Sequence, residues 1–255
     1  MKPIIECRDL TCGYDPDAPT LTGINLTIGA GEIVVLLGPS GCGKSTLLRT
    51  MTGLLPPVAG ELLLFGESFY GATQEQRGAL LRRTGTLFQQ DALFGSMTVS
   101  DNVELPLREI TKLPGAVIKE MAAMKLGLVG LGGLGHRMPA NLSGGQRKRA
   151  ALARATIMDP PLVFCDEPSA GLDPGVAAGI DATFLQLRTL FGSTFVIVTH
   201  ELASIRAIAD RGIMLYDGKI RAQGSVDELS ASTDPTVHGF FHRVAVDNAA
   251  TAQAR

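Results

Sequence analysis

A chain of 255 residues, 45% of them hydrophobic, is long enough to bury a core without disulfides or a structural metal. A formal charge of -2 leaves no electrostatic footprint for nucleic acid, and the one basic cluster, Arg147-Lys148-Arg149, falls on a helix whose alanines and Leu152 suggest packing. Met1-Lys2-Pro3-Ile4 lacks the apolar stretch of a signal peptide, and the most apolar runs, 33–37 and 195–198, fall far short of the roughly 20 residues that cross a bilayer. Cys7, Cys12, Cys42 and Cys165 show no metal-type pairing, so the chain reads as cytosolic and reduced.

In chain order, Ile4 to Leu10 and Ile24 to Ile28 alternate apolar and polar residues, which predicts half-exposed strands in an antiparallel layer beside the site described next. Glu32 to Leu37 is a continuous apolar run ending in glycine, as expected of a strand covered on both faces. The loop Gly38-Pro39-Ser40-Gly41-Cys42-Gly43-Lys44-Ser45-Thr46 follows it, and a helix starts near Gly43 with Leu47, Leu48 and Met51 turned inward. This is a G-x-x-x-x-G-K-[ST] pattern in the strand-to-helix context that gives it meaning. Glycines let successive N–H groups curl around a phosphate, and the helix N-terminus adds partial positive charge. Lys44 would reach the β- and γ-oxygens of a nucleotide, and the Ser45 hydroxyl would ligate Mg²⁺. Cys42, near that helix start, is expected to have an acidified and reactive thiol.

From about Gln90 to Ala155 strand signals give way to helical ones, broken by the glycine-rich stretch 127–135, which predicts a helical lobe inserted in an α/β core. Pro161 to Cys165 and Thr194 to Val198 repeat the buried-strand pattern, with a helix from Gly175 to Leu190 between them. Asp166 and Glu167 end the first of these strands. Successive side chains diverge there, so Asp166 would hold Mg²⁺ while Glu167 faces an attacking water as general base. Pro168 predicts an extended Glu167. His200, after the second strand, is placed to orient that water. Domain limits fall at 1–229 and 230–255, and the polar end Asp247 to Arg255 reads as disordered.

Ser143-x-x-Gln146 is a capping-box pattern. An ordinary helix start accounts for Ser143 and Gln146 but not for Gly144-Gly145, poor helix formers that leave N–H groups bare for an anion. Leu142-Ser143-Gly144-Gly145-Gln146 matches the LSGGQ signature letter for letter, and over Ile4 to Leu229 the chain resembles the ATP-binding-cassette (ABC) ATPases. The resemblance implies a P-loop core with a mainly parallel sheet, an antiparallel β layer and a helical lobe. It makes Tyr14 the aromatic that stacks on adenine, and Gln89 the glutamine linking Mg²⁺ and water to the lobe. It makes 169–173 a loop that crosses to a second subunit. It also implies that two copies close on two ATP molecules, each signature capping the partner's nucleotide.

One cassette without a membrane span resembles the nucleotide-binding subunit of a transporter built from separate chains, resident at the cytoplasmic face of the inner membrane. Leu93 to Val99 would supply the groove for an integral permease. Three strings, 93–103, 138–152 and 234–241, are similar to the Mla/Mce-type phospholipid-trafficking ATPases, which implies an Mce-domain lipid-binding partner; Phe240-Phe241 would pack on a neighbouring subunit. Gln89-Gln90 departs from that group toward amino-acid importers. A small-solute importer and a soluble scaffold ATPase for iron–sulfur assembly are the rival readings.

Overall fold

The computed structural model describes residues 3–242. Strands β1 (Pro3–Cys12) and β2 (Leu21–Gly29) form an antiparallel pair, and β3 (Ile33–Leu37) leads through the glycine loop into α1 (Lys44–Met51). β4 (Ala59–Leu64) and β5 (Glu67–Ser68) complete the antiparallel layer before α2 (Gln74–Leu81) and β6 (Thr84–Leu87). The helical lobe consists of α3 (Val99–Ile110), α4 (Gly115–Leu128), a 3₁₀ turn at Pro139–Asn141 and α5 (Gly144–Thr156). β7 (Leu162–Asp166), α6 (Pro174–Phe191), β8 (Thr194–Val198), α7 (Leu202–Ile208) and β9 (Arg211–Tyr216) alternate through the core. β10 (Lys219–Gly224), α8 (Val226–Ser230) and α9 (Pro235–His242) follow.

The two sheets have strand orders β2-β1-β4-β5 and β10-β9-β3-β8-β7-β6. Within the second, β9, β3, β8, β7 and β6 run parallel and β10 is an antiparallel edge. Each central strand divides its side chains between two cores, which is why its sequence is apolar without interruption. Val34 and Leu36 join α1 and the antiparallel sheet in one core, while Ile33, Val35 and Leu37 join Ile180, Phe184 and Ile205 in the other. A third core lies inside the lobe, where Val99, Val103, Ile118, Leu126 and Ala150 meet.

The chain after residue 230 departs from expectation in one respect. Asp234 Oδ1 accepts from the N–H groups of Thr236 (2.9 Å) and Val237 (3.2 Å), and its other oxygen pairs with Arg221, so α9 starts at a capped Asp-Pro step. Val237 and Phe241, one turn apart, then bury against this chain's own second core, and Phe240 packs beside them. Phe241 is therefore spent on this chain's own core, and Phe240 stays partly exposed beside it. The stretch expected to be disordered, Asp247 to Arg255, lies outside the described residues.

Candidate functional site

Four loops leave the carboxyl ends of adjacent parallel strands, the crevice where open α/β sheets bind ligands. The glycine loop follows β3, His200 follows β8, Asp166-Glu167 closes β7 and Gln89 follows β6. Because β3, β8, β7 and β6 are neighbours in the sheet, residues up to 162 positions apart arrive on one rim.

The glycine loop is shaped by positions no other residue fits. Gly38, Gly41 and Gly43 have φ of 134°, 80° and 103°. A Cβ on Gly38 would stand 2.2 Å from the Leu215 carbonyl oxygen, and one on Gly43 would stand 2.7 Å from Leu21. Pro39, Ser40 and Gly41 form the exposed crest, while in the first turn of α1 Thr46 is buried and Ser45 is half-buried. Lys44 Nζ donates to the Gly38 and Pro39 carbonyls at 2.7 and 2.8 Å, which holds the ammonium within the curl of the loop. Cys42 is buried behind the loop, its sulfur 3.8 Å from Lys44 Nζ, rather than presented for reaction as the sequence suggested.

Across the rim, Asp166 Oδ1 and Glu167 Oε2 are buried without a hydrogen-bond partner, as is Ser169 Oγ nearby. Burial raises the Asp166 pKa above its ordinary value, and the Glu167 charge raises it further. Two adjacent carboxylates with orphaned oxygens are a site that lacks positive charge, which is what a hard divalent cation supplies. Glu167 is not extended: its φ is 47°, its N–H donates to the Val198 carbonyl at 2.9 Å and its own carbonyl accepts from Ala170. Pro168 disfavours the right-handed helical region at Glu167, and the turn off β7 is made through the left-handed one instead. The divergence of the two carboxylates comes from this turn. His200 Nδ1 lies 2.8 Å from Glu167 Oε1, so the histidine orients the glutamate directly.

Gln89 is exposed and shares a cleft of about 390 Å³ with Asp166, Thr86, Leu48 and Arg49. Tyr14, 62% exposed, receives a hydrogen bond from Arg49, whose guanidinium lies 6.0 Å from the ring centroid; the ring is open for stacking on a base. Ser143 caps α5: its hydroxyl accepts from Gln146 N at 3.3 Å, and Gln146 Oε1 accepts from Ser143 N at 3.0 Å. Gly145 also has a packing reason, since a Cβ there would lie 2.3 Å from Val176 Cγ1 on α6. Among the described residues, Ser143 and Gln146 bond each other and not the glycine loop.

Sequence reasoning missed Asp91, Lys148 and Arg154, which hold the loop after β6. The basic cluster offered the signal, because Lys148 is 6% exposed and a buried lysine requires an acidic partner. It also missed Asn102, fully buried, which accepts from Phe94 N at 2.7 Å and donates to the carbonyls of Phe94, Met97 and Thr98. Asn102 thus staples the 94–98 loop to α3.

The model of a protein family described as "ABC transporter" matches residues 21–170, more than half of the chain. The chain belongs to the ABC transporter family. The intermembrane phospholipid transport system ATP-binding protein MlaF of Escherichia coli K12 is 41% identical over 245 residues, 96% of this chain and 88% of that one. A probable ribonucleotide transport ATP-binding protein, mkl, of Mycobacterium tuberculosis H37Rv is 40% identical over 86% of this chain and 61% of its own length. Among solved structures, the dimeric MJ0796 cassette in a post-hydrolysis state with ADP and Pi aligns with a TM-score of 0.80 at 30% identity, covering 87% of this chain and 98% of that one. The cbiO1 protein of Clostridium perfringens aligns at 0.83 and 29% identity, over 91% and 92%. This ABC protein is therefore an ATPase that energises a transporter. It has the mixed α/β cassette fold expected from its sequence, and no helix among the described residues is long and apolar enough to cross a membrane.

Proposed function

We propose that this ABC ATPase drives phospholipid trafficking in a bacterial envelope as the peripheral subunit of a multi-subunit transporter. The observation that carries the reading is the 41% identity to an MlaF protein, which extends over 96% of the chain, beyond the catalytic motifs shared by all cassettes. The site supports the chemistry. Lys44 and the N–H groups of Gly38 to Thr46, Pro39 excepted, would hold the phosphates, and Tyr14 the adenine. Ser45, Asp166 and Gln89 would hold Mg²⁺, which when bound neutralises charge building on the phosphate oxygens. Glu167 would take the proton of the attacking water, while His200 keeps the carboxylate aligned. Ser143, Gly144, Gly145 and Gln146 would close on the nucleotide of a second copy of the chain.

A permease would dock beside β6 and α3, where a cleft of about 400 Å³ is lined by Phe88, Phe94, Leu105, Pro106 and Ile110. Phe94 and Ile110 are 51% and 42% exposed, an apolar edge that favours a partner over water. The ATPase would thereby sit at the cytoplasmic face of the inner membrane, with an Mce-domain protein as the lipid-handling partner. Purification of the chain with its membrane partners, followed by mass spectrometry of bound lipid, tests this. Phospholipid in the complex together with an Mce-domain subunit is expected. A complex that carries a small-solute receptor and no lipid would overturn it.

A further inference from the structure

Three cationic side chains of α5 converge on the loop that carries Gln89. Lys148 Nζ donates to the Gln89 carbonyl and lies 3.0 Å from Asp91 Oδ1. Arg147 Nε stands 3.5 Å from Asp91 Oδ2. Arg154, two turns along the same helix, donates to the carbonyls of Ala92 at 2.7 Å and Asp91 at 3.0 Å. The Lys148 and Asp91 side chains keep only 7% and 14% of their exposure, so water does not screen this pair as it screens surface ions. Removing either charge would strand the other in a poorly solvated place.

The loop needs this grip. Asp91 and Ala92 are consecutive non-glycine residues in the left-handed region, at φ 62° and 53°. Such a run persists only where its surroundings over-determine it, and the contacts from α5 do so. Gln89 itself is exposed, and among the described residues its side chain makes no hydrogen bond, so its direction depends on its backbone. That backbone is anchored by the same ammonium that faces Asp91.

We propose that Asp91 is a positioning residue which, through Lys148, sets where Gln89 stands relative to Asp166 and Glu167, and so ties the signature-bearing helix to the γ-phosphate end of the site. The inference rests on the reading of Gln89 as the residue that links Mg²⁺ and water. Asp91 Oδ1 is near enough to Lys148 for an ion pair but makes no hydrogen bond, so its charge offsets the buried ammonium while the hydrogen bond of Lys148 goes to the Gln89 carbonyl. Without that partner the ammonium turns toward solvent and the carbonyl is released.

The test is steady-state ATPase kinetics on the full-length protein with its permease, together with thermal melting. Asp91→Asn is the informative variant, because asparagine tolerates left-handed backbone and removes only the charge. It is expected to lower kcat about tenfold while KM for ATP stays within about twofold, because Lys44, Ser45 and Asp166 keep the nucleotide and its metal while Gln89 is misplaced. Lys148→Met carries the same test from the other partner. The double variant is expected to be no slower than the slower single one, because the pair acts as a unit. An unchanged kcat with a lowered melting temperature would make the pair a structural strut and overturn the proposal. Multiplying effects in the double variant would do the same. Failure of the underlying reading has a different signature: Gln89→Ala would leave turnover intact while Asp91→Asn reduced it.

Discussion

At the residue scale the site separates two carboxylates that differ by one position. Glu167 has one oxygen on His200 and the other buried without a partner, and it is turned off β7 by a left-handed backbone. That geometry suits proton removal and does not hold the nucleotide. Glu167→Gln is therefore expected to lower kcat by about a hundredfold or more while ATP affinity stays near its original value, measured by phosphate release and by equilibrium nucleotide binding. ATP should then accumulate the paired form on gel filtration. Asp166 differs because burial, then the Glu167 charge, raise its pKa. An acid whose folded pKa exceeds its unfolded one destabilises the fold increasingly as pH rises from the unfolded toward the folded value, and the deficit is complete once pH passes the folded value. Asp166→Asn should thus raise the melting temperature at neutral pH in the absence of Mg²⁺ and nucleotide, and the gain should vanish at a pH below the ordinary carboxylate range. The same substitution should abolish Mg²⁺-dependent turnover. A variant that melts at the same temperature as the unsubstituted protein at both pH values would show that Asp166 carries no such strain.

At the element scale α5 serves three neighbours, and its sequence reflects all of them. Its amino end is capped by Ser143, its Gly145 lets α6 approach, and its basic face grips the loop after β6. Helix propensity alone predicts that Gly145→Ala would stabilise by up to about 1 kcal/mol. Here the new Cβ would meet Val176 Cγ1 at 2.3 Å, and a β-branched side chain in a helix has little freedom to turn away. The clash should win, with a net loss of about 1 to 3 kcal/mol in chemical denaturation that Val176→Ala largely restores. A stabilised single variant would show that α5 and α6 can part at no cost. The parts of these elements that could be read beforehand were those with one dominant cause. β3, β7 and β8 are apolar throughout because both faces are covered, and the glycine loop can be read because positive φ leaves no other residue. β6 and β10 were not evident: Thr84-Gly85-Thr86-Leu87 is too short and mixed to show a period, and β10 is a half-exposed edge. The role of Lys148 was hidden for another reason. A charge run is ordinarily solvated, and only the fold brings Asp91, 57 positions earlier, against it.

For the whole molecule the question is how hydrolysis at the sheet rim reaches a partner. The lobe has a core of its own, but α5 is common to both, giving Ala150 and Ala153 to the lobe and Ala151 and Leu152 to the sheet, and the loop from Gln89 to Thr98 runs between the two. At one end of that loop Lys148 holds the Gln89 carbonyl. At the other, Asn102 holds Phe94, Met97 and Thr98 through four hydrogen bonds, and Phe94 stands half-exposed at the edge of the apolar cleft. A movement of α3 therefore carries Phe94 with it. If a permease reads that movement, apolar contact is its main route, because Phe88, Leu105, Pro106 and Ile110 line the cleft with Phe94, alongside Arg82 and Arg154. Phe94→Asp would place a carboxylate where docking removes water. Burial of an unpaired polar group costs roughly 3 kcal/mol, which is on the order of a hundredfold in Kd. The expected outcome is loss of the permease from the purified complex while the soluble protein melts as before, since Phe94 contributes little buried area of its own. Retention of the permease by Phe94→Asp, measured by quantitative pull-down, would move the docking surface elsewhere on the lobe.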